Sequence, residues 1–136
     1  DLRVVQVPIG LYASPDYVAR YGVPTNQDDL AEHALIGPDR SIYDLRIADR
    51  LGPKLHRSFV LRTDNHPAQI AAARAGLGIT ACQVLLGEAD ARLVRVLSSF
   101  ELGRLDVWLV THENLAKAPA IRAVIDHLAG AFVQLV

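Results

Sequence analysis

The sequence predicts an α/β domain built on a mixed sheet. Segments with strand patterning alternate with segments of helical patterning along the 136 residues, the order that lays helices over a sheet containing parallel strands. The helix-like segments carry N-terminal caps, first-turn prolines and terminal glycines. The segment "RLDVWLVTH" is apolar on both faces, as suits a strand buried on both sides.

In chain order, "VVQVPIGLYA" reads as a strand with Pro8 at an edge or a bend. In "SPDYVARYGVP", Ser14 is the N-cap, Pro15 takes the first turn, Gly22 ends the helix and Pro24 prevents its resumption. "TNQDDLAEHALIG" begins a second short helix, with Thr25 and Asp28 as a capping box in which Asp replaces Glu. It hands over to a strand at "ALIG". Residues 38 to 55 mix Pro, Gly, Asp and Arg and read as turns with short strand pieces. "HRSFVLRT" is a strand with Phe59 and Leu61 on one face and Val60 on the other. Thr63, Asp64, Asn65 and His66 then turn the chain into a helix with Pro67 in its first turn, capped by Asp64 or Asn65. Ala71, Ala72, Ala73 and Ala75 favour that helix and keep it thin enough to lie close on a sheet, and Gly76 suits its C′ position.

"GITACQVLLGEA" reads as a strand and then a short helix, and "RLVRVL" and "RLDVWLVTH" as two more strands. "APAIRAVIDHLAGAFVQLV" is a long amphipathic helix with Pro119 in its first turn. Its apolar stripe is Ile121, Val124, Ile125, Leu128 and Phe132.

Composition narrows the function. About half the chain is apolar (51%), a fifth is charged (21%), and the net charge is −1 with acids and bases interspersed. That composition supports a real core. It offers no basic stripe for phosphates, so these residues by themselves are a poor nucleic-acid binder. The single Cys82 cannot form an intramolecular disulfide, and its apolar context "GITACQVLL" reads as a small buried hydrophobe. A reducing, cytoplasmic setting is expected. No apolar run reaches the ~20 residues of a membrane span and no signal peptide is visible. The chain opens at Asp1 without a Met and reads as a piece of a longer protein.

The familiar chemical motifs fail on context. Gly76-x-Gly78-x-x-Ala81 matches a relaxed dinucleotide fingerprint, but it follows a helix and precedes a strand, the reverse of what a pyrophosphate at a helix N-terminus requires. His33, His56, His66, His112 and His127 are dispersed with no ligand spacing, so no metal site is expected. His33 and His127 read as surface or edge residues. Ser14 and Ser58 read as a cap and a strand residue, and the acids at 28–29 and at 88 and 90 suit helix starts or solvated turns. No convergent acid and base are visible. No catalytic residue and no cofactor is expected. The turn Thr63–His66 remains, where a strand ends and a helix begins with outward N–H groups suited to a carboxylate or phosphate. Simple N-capping is the competing reading of the same four residues.

The ordered set "LYASPDYVARYGVP", "DDLAEHALIG", "VLRTDNHPAQIAAARAGLGIT", "LVRVL" and "LDVWLVTHENLAKAPAIRAVIDHL" resembles the effector-binding domain of LysR-type transcriptional regulators over nearly the whole chain. The resemblance implies a type 2 periplasmic-binding-protein-like fold: two α/β lobes joined by crossing strands, with a small effector between them. Residues 1–136 would be a partial effector-binding domain. About 12–105 would be lobe II; 1–11 and 106–136 would be the crossing strands and a remnant of lobe I.

The resemblance also assigns the pocket. It implies effector contacts from Thr63, Asp64, Asn65 and His66, from Ile36, Gly37 and Pro38, and from the glycine turn Gly76, Gly78 and Ile79. The expected ligand is a small organic, carboxylate-bearing molecule. DNA would be bound only through an N-terminal helix-turn-helix outside these residues, in a homodimer or homotetramer, with no membrane involved.

The chain departs from many relatives at Gln83, where a proline is common, and at Ala91–Arg92, where a glycine is common. Asp64 adds a negative charge: aimed into the cleft it would favour a hydroxylated or amine-bearing effector, whereas as a cap it would leave the anion reading intact. A transporter's solute-binding protein shares the fold and is the main alternative; an enzyme on the same fold and a pure interaction module are others. The stripe on the last helix is expected to find its cover in a second copy.

Overall fold

The computed structural model describes residues 2–53 and 55–135, without the side chain of Arg3. The end residues of the 1–136 range, and position 54 of the 38–55 stretch, lie outside the described residues.

Strand β1 (Leu2–Ala13) leads into helix α1 (Pro15–Tyr21), a 3-10 segment (Gln27–Glu32), β2 (Leu35–Gly37) and α2 (Ile42–Ala48). Two 3-10 turns, Asp49–Leu51 and His56–Ser58, precede β3 (Phe59–Arg62), α3 (His66–Arg74), β4 (Ile79–Gln83) and α4 (Val84–Glu88). The chain closes with β5 (Val94–Val96), β6 (Gly103–Leu109) and α5 (Pro119–Leu135). The sheet order is β3-β2-β4-β1-β5, with β6 also paired to β1. β2 runs parallel to β3 and β4, while β1 is antiparallel to β4 and β5. This is the mixed α/β sheet that the alternating pattern predicts.

The chain divides into two compact units, Asp1–Val7 with Arg104–Val136, and Pro8–Gly103. The sequence reading places its boundaries near 12 and 105. Pro8 lies inside the continuous strand β1, at the division between units.

In the larger unit the core is centred on β1. Tyr12 and Leu30 are wholly buried, and Leu11, Leu35 and Ile79 nearly so. Tyr12, Ile36, Ala73, Cys82 and Leu93 form one cluster, with Leu61, Ile70 and Ala72 packed against it. The alanines of α3 permit this close approach: Ala73 is fully buried with no side-chain entropy to lose. α4 approaches through Gly87, where a Cβ would lie 2.3 Å from the Tyr12 ring.

Local capping explains most helix boundaries. Ser14 Oγ accepts from Tyr17 N, and Gly22 ends α1 at φ 76°. Three expectations are corrected here. Residues 42–48 form a helix rather than strand pieces, because Ser41 caps it by accepting from Asp44 N. The 25–28 box is displaced by one residue: Asn26 is the cap, accepting from Asp29 N, and Asp29 reaches back to both N and Oγ1 of Thr25. The product is a 3-10 segment, not an α-helix. β3 begins only at Phe59, and Ser58 sits in a 3-10 turn with Oγ donating to the Ala31 carbonyl.

In the smaller unit, Gln6 Nε2 donates to Asp106 Oδ1 at 2.9 Å. β6 is one-sided rather than buried on both faces: Leu105, Val107 and Leu109 are half-buried while Asp106, Trp108 and Val110 are exposed. Helix α5 has no buried residue among those described. Within its stripe, Ile121, Ile125 and Phe132 are half-buried, while Val124 and Leu128 remain exposed.

Candidate functional site

The parallel strands β2 and β3 end together. Gly37 pairs with Arg62, and Thr63 N donates to the Gly37 carbonyl at 2.9 Å. Ile36, Gly37 and Pro38 are buried there. Gly37 must lack a side chain, since a Cβ would meet the Phe59 ring at 2.3 Å. The side chain of Ile36 belongs to the core cluster, which leaves Gly37, Pro38 and the following loop to form the surface. The register Ile9↔Gln83 on the antiparallel neighbour sets these strand ends toward the end where β1 enters this unit. Carboxyl ends of parallel strands are where open α/β sheets receive ligands.

The turn 63–66 is closely organised. Asn65 is the cap of α3, its Oδ1 accepting from Ala68 N at 2.9 Å. Thr63 Oγ1 accepts from Asn65 N, and Pro67 has no N–H. The turn therefore offers the amides of Asp64 and His66, the Thr63 hydroxyl proton and the Asn65 side-chain NH2. Of the outward N–H groups at this helix start, that of Asn65 is engaged and Pro67 has none.

Asp64 is not the cap of α3, a role that Asn65 takes. Asp64 Oδ1 accepts from the amides of Asp39, Arg40 and Ser41 at 2.9, 3.1 and 3.1 Å, and its Oδ2 from Arg40 N at 3.0 Å. Its negative charge is thereby answered within the fold, and the Ser41 amide leads in holding its carboxyl below the usual carboxylate range. Because the folded pKa is lowered, this contribution is complete above the unfolded value and is lost as pH falls through the folded one. Protection of the Asp39, Arg40 and Ser41 amides from exchange, measured by NMR relative to their intrinsic rates, is expected to fall in acid ahead of that of the sheet amides. Equal protection across that titration would contradict the clasp.

Three partners of this turn escape the sequence reading. His66 Nε2 lies 2.7 Å from Asp44 Oδ2, on the helix that the sequence reading omits. Buried Gln69 donates from Nε2 to the Thr63 carbonyl at 2.6 Å. The amides of 39–41 complete the set. The legible signal was Gln69, a polar side chain one turn after the cap in an alanine-rich helix.

The glycine turn does not join this group. Leu77 N donates to the Ala72 carbonyl and Gly76 N to that of Ala73, with Gly76 at φ 86°. This is a Schellman ending of α3. Ile79 pairs with Leu35 at the start of β2, so Gly76, Gly78 and Ile79 lie at the opposite end of the parallel strands from Gly37. With three residues in β2 that is roughly 10 Å away.

Other chemistry is sparsely provided. Among the described residues no group of three His, Cys, Asp or Glu side chains could hold a metal ion. Cys82 is buried, and burial first and Asp90 second push its thiol pKa up, away from nucleophile behaviour. Glu88 accepts from the Tyr12 hydroxyl, and Asp90 from Arg74 and from Arg92 N; these acids are structural rather than the solvated turn expected. His33 is an edge residue, the C-cap of the 3-10 segment, half-buried with Nδ1 2.8 Å from the Tyr17 hydroxyl. Among the described residues no helix is long and apolar enough to cross a membrane.

The sequence of residues 2–133 matches the family model described as the LysR substrate binding domain. No curated protein matches. The fold is similar to the regulatory domain of CrgA, a LysR-type transcriptional regulator from Neisseria meningitidis, at 18% identity and TM-score 0.74, covering 96% of this chain and 67% of that one. It is similar to the regulatory domain of AphB in Vibrio vulnificus at 23% identity and TM-score 0.70, with the same coverage. The full-length Vibrio cholerae virulence activator AphB matches at 23% identity and TM-score 0.68, and this chain spans 46% of its length. These likenesses show a periplasmic-binding-protein-like α/β fold, and the family match favours a regulator over a transporter component. With its match running almost end to end, the chain belongs to the LysR substrate-binding domain family.

Proposed function

We propose that this chain is the effector-sensing part of a LysR-type transcriptional regulator and catalyses nothing. The observation that carries the site is the convergence of Gly37 and Pro38 with Thr63, Asn65 and His66 at one carboxyl end of the parallel strands. The effector is a small organic molecule presenting acceptor oxygens, a carboxylate or carbonyl, to the Thr63 hydroxyl, the Asn65 NH2 and the His66 amide. Asp64 shapes the wall rather than repelling an anion, since its charge is already bound by three amides. Gly76, Gly78 and Ile79 support the wall from its far end and do not touch the effector. The Pro8–Gly103 unit corresponds to lobe II and the remainder to the crossing strands and lobe I.

In the intact regulator, a homodimer or homotetramer with an N-terminal helix-turn-helix, effector binding shifts the population of lobe arrangements. That requires differential affinity for those arrangements. The test is calorimetry on the intact regulator with a panel of small organic acids. Asn65→Asp keeps the cap but replaces the donor by an acceptor, and Thr63→Val removes the hydroxyl. Each is expected to weaken the responding acid about tenfold, the size of one lost charge-assisted hydrogen bond. Thr63→Ser is expected to restore it. An unchanged response in both variants would remove these residues from the site.

A further inference from the structure

A second recess in the larger unit is unrelated to the effector turn. It is an open recess of about 380 Å³ between the C-terminal half of α3, β4, α4 and the loop 89–93. That volume lies within the range of small-molecule pockets and equals roughly a dozen water volumes. It suits a small ring system.

The walls are fixed. Arg74 donates from Nε to Asp90 Oδ2 and pairs with it through Nη2, both at 2.6 Å, which ties α3 to the loop. Asp90 Oδ1 holds Arg92 N at 2.9 Å, and Asp90 N donates to the Gly87 carbonyl. Cys82 and Leu93 form a buried floor that continues into the core, and Ile70 forms one side. Leu86 borders the recess with about half of its surface open to solvent (55%). The charged members are Arg74, Asp90 and Arg92, one more cation than anion. Asp90 binds the Arg74 guanidinium directly and that of Arg92 only at longer range, so the recess keeps one net positive charge, and the exposed Arg92 is the cation that can turn to an anion.

We infer that this recess is an accessory binding site for a compact apolar molecule with one carboxylate. The ring lies on Ile70, Cys82, Leu86 and Leu93, and the carboxylate reaches Arg92. α3 connects the recess to the effector turn, because Ile70 and Arg74 lie on the helix that Asn65 caps.

The test titrates 4-tert-butylbenzoate, and its neutral counterpart 4-tert-butylbenzamide, into the intact chain. Methyl resonances are followed by NMR and the Cys82 alkylation rate by mass spectrometry. Saturable shifts at Ile70, Leu86 and Leu93 and several-fold slower alkylation are expected. Leu86→Trp fills the mouth and should abolish both effects. Arg92→Gln, a surface change that spares the fold, should weaken the benzoate about tenfold and leave the benzamide unchanged. Thr63→Val should change neither. Shifts that do not saturate, or binding that persists equally in the Leu86→Trp and Arg92→Gln variants, would overturn the assignment.

Discussion

Gly78→Ala is expected to destabilise the protein by about 3 kcal/mol, the upper range for forcing volume into a closed site. A Cβ at this position would lie 2.4 Å from the Ala34 carbonyl oxygen and 2.9 Å from its carbon. Both are backbone atoms, and Ala34 immediately precedes β2 while its carbonyl accepts from Ile79 N. Relief would require β2 to separate from β4 in the interior of the sheet. Against a typical total of ~5–15 kcal/mol this is a large loss. Urea denaturation checks it, with two internal comparisons. Gly76→Ala meets no clash, its nearest contact being Ser14 Oγ at 3.6 Å, but carries φ 86°, and should cost about 1–2 kcal/mol. Gly130→Ala in α5 meets nothing within 4 Å and should gain up to ~1 kcal/mol. If Gly78→Ala unfolds at the same urea concentration as the parent, the glycine turn is not the packing device described here.

Tyr12→Ala is expected to be comparably severe, at about 4 kcal/mol, in the range of emptied aromatic sites. Tyr12 is fully buried in the central strand β1, its ring rests on Gly87, and its hydroxyl donates to Glu88 Oε1 at 3.0 Å. Tyr12→Phe keeps the ring and loses one hydrogen bond, about 1 kcal/mol. The ratio is the informative quantity. Near-equal losses would place the energy in the Tyr12–Glu88 bond instead of the packing of α4 on the sheet.

The first of these substitutions falls on a feature the sequence displayed without explaining. The pair Gly76 and Gly78 was visible, and so was the reversed order that excluded a dinucleotide loop. That Gly78 is needed for contact with Ala34, and that the turn stands away from Thr63–His66, depends on the parallel register of β2 and β4. Register between segments more than forty residues apart leaves no local trace. Helix α2 was missed because Pro38, Asp39, Gly52 and Pro53 carry turn signals on both sides of a seven-residue helix. One Ser41 cap is a weak signal among them. The capping box slipped by one because Asn26 and Thr25 are both competent caps, and propensity does not choose between neighbours.

By itself the sequence determined the alternation of strands and helices, the family, the cap at Ser14 and the reversed context that disqualifies the Gly76–Gly78 fingerprint. These follow from patterns written within a few residues: hydrophobic period, cap chemistry and glycine placement. The choice of Asn65 over Asp64 as the cap of α3 came from the structure. Only the tertiary structure decided what Asp64 does. The carboxylate beside the helix start could have capped α3, and instead it closes on the amides of 39–41. Those donors lie more than twenty residues earlier and come into reach only because β2 and β3 end side by side. A side chain's partner is set by distance in space, and that distance exists only after the sheet has formed.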